Sequence, residues 1–303
     1  MKKFHCDALI LGGGSAGCSC ALWLKHLGLK GLIVEKSDKL GGLQNYSPYP
    51  NVWILGRNYS SGKAFAREVT KQIEGANIPI RFNTSIADLS FDEEKKNFRA
   101  SLIQNKKKFF IETKFIVLAT GVSPRNGGFE PSSDVLIGPG DHIERADYRK
   151  KSVAILGGGD NAFENYLFIK KKKPKNVKIF ARNVRAQFPF VKKIKRGDLK
   201  VGQYVVDSHE KRINGEGFDI VVVMYGWQGV NPIQNMVPLK MLNGFVQTDE
   251  HRRTSQEGIY AVGEVAQASH PCCVTAMADG IIAAKDIQMR IDKIRIPVEL
   301  KLK

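Results

Sequence analysis

The hydrophobic positions of this chain fall into short unbroken runs, most of them closed by glycine. Residues 6–13 (CDALILGG) are apolar enough for a central parallel strand, 15–28 (SAGCSCALWLKHLG) predict a helix ended by Gly28, and 31–36 (GLIVEK) the next strand. A helix is expected around 62–74. Runs at 80–89, 97–104 and 108–113 alternate as a β-meander does, and 115–121 (FIVLATG) predict a buried strand ending in a tight turn. The pattern then restarts. Residues 152–169 (SVAILGGGDNAFENYLFI) read strand, glycine turn, helix, and 177–182 (VKIFAR) the strand after it. Residues 219–227 (DIVVVMYGW) and 258–265 (GIYAVGEV) predict two more strands, the second followed by a helix from Cys273 to about Ile291. Two βαβ units with glycine turns predict an α/β chain of two Rossmann-like nucleotide-binding domains.

Each glycine turn carries a dinucleotide fingerprint. In Gly12-Gly13-Gly14-Ser15-Ala16-Gly17, Gly12 permits the tight turn, Gly14 lets the backbone approach a pyrophosphate, and Gly17 lets helix and strand pack closely. The pyrophosphate would rest on the helix N-terminus, where unpaired N–H groups point at it. Glu35, at the end of the second strand and followed by Lys36, can accept from both hydroxyls of an unphosphorylated ribose. The second fingerprint is Gly157-Gly158-Gly159-Asp160-Asn161-Ala162. Its second strand ends in Ala181-Arg182-Asn183 with Arg185 close behind and no acid, which favours a 2′-phosphate and hence NADPH over NADH.

Composition adds exclusions. Hydrophobic residues make up 43% and charged residues 25%, ordinary for a globular protein, and no run of about 18 apolar residues predicts a membrane span. At the start, two lysines precede an apolar stretch, but Asp7 interrupts it and no small-residue cleavage pattern follows. It therefore reads as a first strand rather than a leader, and a cytoplasmic location is expected. Five cysteines, an odd number without metal-ligand spacing, argue against a secreted disulfide framework and fit a reducing compartment, and no metal is expected. The net charge of +17 admits nucleic acid, an anionic membrane surface, an acidic protein or a phosphate-rich cofactor. Lysine runs at 170–175 (KKKKPK) and 192–200 (KKIKRGDLK) read either as solvated helix end and loop or as a docking patch. No recognition motif accompanies them, so nucleic acid is not expected.

Taken together, the fingerprint with Glu35, the Gly41-Gly42 pair, Ala119-Thr120-Gly121, Gly157-Gly158-Gly159-Asp160 and Gly263-Glu264 resemble the low-molecular-weight thioredoxin reductases over nearly the whole chain. The resemblance implies a discontinuous FAD domain formed by residues 1–122 and 246–303. It also implies an inserted pyridine-nucleotide domain at 123–245, three-layer ββα architecture in each, and a homodimer. It implies FAD contacts from Gly12, Gly14, Ser15, Ala16, Gly17, Glu35, Lys36, Gly42, Ala119, Thr120, Gly121, Gly263, Glu264, Cys273 and Val274. NADPH contacts are implied from Gly157, Gly159, Asp160, Asn161, Arg182 and Arg185. By the same resemblance Cys272, Cys273 and Val274 run past the flavin's pyrimidine edge, and a helix N-terminus there aids an anionic reduced flavin.

Three departures set this chain apart. The family's redox CxxC falls on Gly140 and Ile143, in a stretch 135–148 (VLIGPGDHIERADY) without cysteine, while its proton-donating acid falls on Glu144. The His-Arg-Arg phosphate clamp reads Ala181-Arg182-Asn183, and the span from there to Gly226 looks short enough to have lost a hairpin. Thiol–disulfide exchange needs an attacking thiolate and a resolving partner, which glycine and isoleucine cannot supply. The leading expectation is therefore an FAD-dependent oxidoreductase that passes electrons from NADPH to a directly docking acceptor, an acidic ferredoxin- or flavodoxin-like protein or a small molecule. Ferredoxin–NADP reductases of the same architecture also lack the CxxC. Glu144 and His142 are the candidate catalytic residues, exchanging a proton at the flavin or with the acceptor; the alternative is a solvated polar loop. Tyr49 and Trp53 are candidates to cover the flavin or simply to pack. Two other functions stay open: disulfide reduction through Cys272 and Cys273, and FAD binding without use of NAD(P)H.

Overall fold

A computed structural model describes residues 4–47, 50–52, 54–56, 61–268 and 270–295; Tyr49 and Trp53 lie outside the described residues. In chain order the first elements are β1 (Phe4–Leu11), α1 (Ser15–His26), β2 (Gly31–Val34), α2 (Gly62–Gly75), β3 (Ile80–Arg81), β4 (Thr84–Asp92), β5 (Asn97–Gln104) and β6 (Lys107–Leu118). After the crossing strand β7 (Val122–Pro124) come β8 (Val135–Ile137), α3 (Asp141–Arg145), β9 (Ser152–Leu156), α4 (Asp160–Lys170), β10 (Asn176–Ala181) and α5 (Phe188–Val191). Short strands follow: β11 (Leu199–Val201), β12 (Val206–Asp207), β13 (Arg212–Ile213) and β14 (Glu216–Gly217), then β15 (Ile220–Val223). The chain returns through β16 (Trp227–Gly229) to β17 (Met241–Leu242), β18 (Phe245–Val246), β19 (Ile259–Ala261) and α6 (Cys273–Arg295). It divides into two compact units, Met1–Val122 with Gly229–Lys303, and Ser123–Gln228.

The sheet of the first unit has the order β3-β2-β1-β6-β5-β4, with β19 also on β6. β1, β2, β3, β6 and β19 run parallel, whereas β4, β5 and β6 pair antiparallel. The runs expected separately at 108–113 and 115–121 are one strand. β6 holds β5 along 107–113 and β19 along 116–118 on one edge, while β1 lines the other. Glu112, Thr113 and Lys114 interrupt the apolar pattern between the two halves, but the strand runs on through them: Lys114 is exposed, and buried Thr113 donates its Oγ1–H to Phe115 O at 3.1 Å. Because β1 is buried on both faces, its alternate residues feed two cores. Ala8 and Ile10 join the α1–α6 side with Leu24, Ala283 and Ile287, and Leu9 and Leu11 join the meander side with Leu89, Phe98 and Leu102. Each Leu, Ile or Phe side chain among them removed from water contributes about 1.5–3 kcal/mol.

In the second unit five parallel strands take the order β11-β10-β9-β15-β8, and β12, β13 and β14 form a small antiparallel sheet. Three antiparallel strands of two residues each occupy the span between Ala181 and Gly226. The chain rejoins the first unit at Gly229, ahead of the 246 that the resemblance implies. The reason is packing: Ile233 is fully buried in the same core as Leu9 and Val246, and the Val230 N–H donates to Gly121 O at 2.9 Å. Among the described residues no helix is long and apolar enough to cross a membrane.

Candidate functional site

The first glycine turn is closed from within. Gly12 has φ +110°, and a Cβ there would stand 2.3 Å from Ala119 O; one on Gly17 would stand 2.0 Å from Gly12 O. Over Gly14, by contrast, the only atom near such a Cβ among the described residues is Gly42 Cα at 3.9 Å, an ordinary contact rather than a clash. Gly14 precedes α1, whose first turn carries no side-chain cap, leaving Ser15, Ala16 and Gly17 N–H groups at an open helix start. An anion completes such an end, so the turn fits a pyrophosphate. Gly41 N–H donates to Gly13 O at 2.8 Å, which brings Gly42 against Gly14.

Glu35 fastens the turn from the other side. It accepts from Gly13 N–H at 2.7 Å through one oxygen, and from Ser37 N–H and Ser37 Oγ, both at 2.8 Å, through the other. A carboxylate offers about four lone-pair sites, so ribose hydroxyls can still be accepted. Ser37 had no motif to announce it. Lys36 between them is exposed. Thr120 Oγ1 donates to Val230 O in a short contact, tying the Ala119–Gly121 turn to the returning chain.

The late motif meets the early one. A Cβ on Gly263 would lie 2.9 Å from the Ala16 methyl, and one on Gly280 of α6 would lie 2.3 Å from Ala16 O. Buried Asp279 accepts from Gly263 N–H at 3.0 Å and from Arg252 Nε at 2.7 Å, holding the Gly263-Glu264 turn to α6. Beside it, buried Asp286 accepts from Tyr260 OH at 2.6 Å and Arg253 Nε at 2.8 Å. Sequence reading missed both acids, since an Asp inside an amphipathic helix looks solvated until its partner is known. Burial pushes the Glu264 carboxyl up. At the head of α6, Cys272 N–H donates to Thr275 Oγ1 at 3.1 Å and Thr275 N–H to Cys272 Sγ at 3.4 Å. Cys273 beside it is half-buried, its thiol raised by burial, and Val274 is exposed. Cys6, Cys18 and Cys20 are buried, and burial pushes each thiol up to about 12.

The second turn repeats the construction. Gly157 has φ +147°, with Met224 O 2.3 Å from a would-be Cβ; Gly159 is open, and α4 starts without a side-chain cap. Asn161 O accepts from Asn165 Nδ2 within α4. Asp160 turns both carboxylate oxygens to Gln187, accepting its backbone N–H at 2.7 Å and its Nε2 at 2.9 Å. Arg182 and Arg185 are exposed. On α3, exposed His142 donates Nε2–H to Gly138 O at 2.9 Å, and Glu144 is half-buried. Lys170 and Tyr166 share Asp198, at 2.8 and 2.6 Å, which joins the two lysine runs on one surface. Among the described residues no group of His, Cys, Asp and Glu could hold a metal ion.

The profile of the family described as "pyridine nucleotide-disulphide oxidoreductase" matches residues 6–280. The chain is 29% identical to a ferredoxin–NADP reductase of Mycoplasmoides gallisepticum, over 94% of this chain and 95% of that protein. It is 26% identical to a thioredoxin reductase of Treponema pallidum, over 95% and 98%. Among solved structures, thioredoxin reductase of Lactococcus lactis superposes with a TM-score of 0.76 at 21% identity, covering 95% of this chain and 99% of that one.

Proposed function

The chain belongs to the pyridine nucleotide-disulphide oxidoreductase family, and we propose that it passes electrons from NADPH through FAD to an acceptor that docks directly, without a protein disulfide between them. One observation carries this reading: the segment from β8 to α3, where the resembled reductases keep a redox CxxC, contains no cysteine, and its fold is a short strand, a glycine turn and a single helical turn. The other thiols give little support to a relay. Cys6, Cys18 and Cys20 are sealed in the core and hold their protons, so none supplies a thiolate at neutral pH.

The first turn, with Glu35 and the Gly263-Glu264 turn, is suited to FAD, and the second turn with Arg182 and Arg185 to NADPH. When bound, FAD supplies the centre that takes a hydride from the nicotinamide and gives electrons up again. The protein's part is to orient and to hold charge. The open N-termini of α1 and α4 would receive the two pyrophosphates, Glu35 would accept from a ribose, and Arg182 and Arg185 would pair with a 2′-phosphate. Glu144 and His142 are proposed as the groups that move a proton as electrons leave. His142 Nε2 already donates to Gly138 O, which leaves Nδ1 as the atom that can accept. The name of the Mycoplasmoides relative and the net charge of +17 support an acidic electron-carrier protein as acceptor.

Anaerobic addition of NADPH to the flavin-loaded protein tests the reading. Flavin absorbance should bleach, no new thiols should become titratable, and an acidic carrier should restore the colour. Absence of bleaching by both NADPH and NADH refutes it; new thiols on reduction would shift the reading to Cys272 and Cys273.

A further inference from the structure

We propose that Asp160 is a positioning residue: it clasps Gln187 and so holds the arginine-bearing loop 182–187 over the second glycine turn, setting selectivity for a 2′-phosphorylated dinucleotide. The inference rests on reading Gly157–Asn161 as the pyridine-nucleotide turn. Asp160 is the first residue of α4, where a carboxylate suits the helix dipole but stands where an incoming pyrophosphate must land. A bare carboxylate there would repel the ligand. Instead both oxygens are turned to Gln187, one to its backbone N–H and one to its side-chain amide.

The same loop has a second pin. Gly158 O accepts from Arg185 N–H at 2.7 Å and Ala186 N–H at 3.0 Å. The chain passes so close that a Cβ on Gly158 would lie 1.9 Å from Asn183 O. Pinned at Gly158 and at Asp160, the loop has little freedom left, although Arg182, Asn183, Val184, Arg185 and Gln187 are all exposed. Neither Arg182 nor Arg185 is paired with an acid among the described residues. The two guanidiniums are thus offered to an anion by a backbone already in place. A preordered contact is stronger than one whose loop must order on binding, because the ordering cost falls on the affinity.

Calorimetry with the flavin-loaded protein, titrating NADP+ and NAD+ separately, tests this without turnover. The readout is the ratio of the two dissociation constants. Asp160→Ala should lower the preference for NADP+ about tenfold (about 1.4 kcal/mol), with NAD+ affinity nearly unchanged. Gln187→Ala, which removes only the side-chain bond, should lower it less. Asp160→Asn keeps an acceptor for the Gln187 N–H and should retain the wild-type ratio within about twofold. Were Asp160 only a repelling charge, Ala and Asn would both tighten both nucleotides and leave the ratio alone. Were it a direct ligand, both would weaken both alike. Either result overturns the clasp. Wild-type protein that binds neither nucleotide, or prefers NAD+, overturns the reading of the turn as well. Retained flavin colour and an unchanged melting temperature identify variants that are folded.

Discussion

Removing the Glu35 side chain attacks the first turn at the point where its geometry is most determined. In Glu35→Ala the Gly13 N–H, buried and now without its 2.7 Å acceptor, is left unsatisfied, and Ser37 loses two bonds of 2.8 Å. An unmet buried donor costs about 1–3 kcal/mol, while Ser37 can turn part of its loss over to water. That share appears as lost stability, since it is incurred with or without ligand. Ligand affinity loses a further part: two ribose hydroxyls donating to a carboxylate are worth together about 3 kcal/mol, which is about 150-fold in Kd. The assay is FAD binding to apoprotein, followed by quenching of flavin fluorescence, alongside thermal unfolding. Expected are a Kd raised by about 100-fold or more and a Tm lowered by several degrees. Glu35→Gln should fall between, because its amide oxygen can still accept from Gly13. A Glu35→Ala protein whose FAD affinity stays within threefold of wild type, with Tm reduced, would show that Glu35 only shapes the turn and touches no ribose.

In Gly158→Ala a Cβ must displace the loop at Asn183, so NADP+ affinity should fall at least about tenfold while FAD is retained; unchanged NADP+ titration sinks the close-approach argument. Of the five thiols, Cys272 and Cys273 should react with a thiol reagent in native protein at pH 8, and Cys6, Cys18 and Cys20 only after denaturation, since burial keeps the latter protonated. Rapid labelling of three or more native thiols counts against this. Asp286 is pulled upward by burial, but Arg253 and Tyr260 outweigh that and hold its carboxyl below the usual carboxylate range. Its stabilising contribution is therefore complete above about pH 4 and lost as pH falls through the lower folded value. Asp286→Ala should cost about 1–3 kcal/mol at pH 7, discounted because Arg253 is partly exposed, and should flatten the acid arm of stability. Denaturant midpoints across pH 2–7 that run parallel to wild type contradict it.

Local sequence carried the two βαβ units and both glycine turns. The reason is that these features live within one strand–turn–helix span: hydrophobic runs set the strands, and a φ near +110° or +147° admits glycine at Gly12 and Gly157. The same local reading split β6 in two, because periodicity cannot tell that one strand is bordered by β5 at its start and β19 at its end. It could not see that Ile233 draws the chain back into the first unit at Gly229, nor that Ser37 completes the hold on Glu35. Asp279 and Asp286 face Gly263, Arg252, Arg253 and Tyr260 across many intervening residues, and hydropathy alone assigns such acids to solvent. Asp160 is the sharpest instance. As sequence it belongs to a nucleotide motif; its partner Gln187 is fixed only by the tertiary fold, when β10 delivers the loop back over the turn. Patterns of residue type determined which elements form and where the glycine turns fall. Which polar groups face one another was decided by the packing of distant segments, because a buried charge is stable only beside the partner that the fold brings to it.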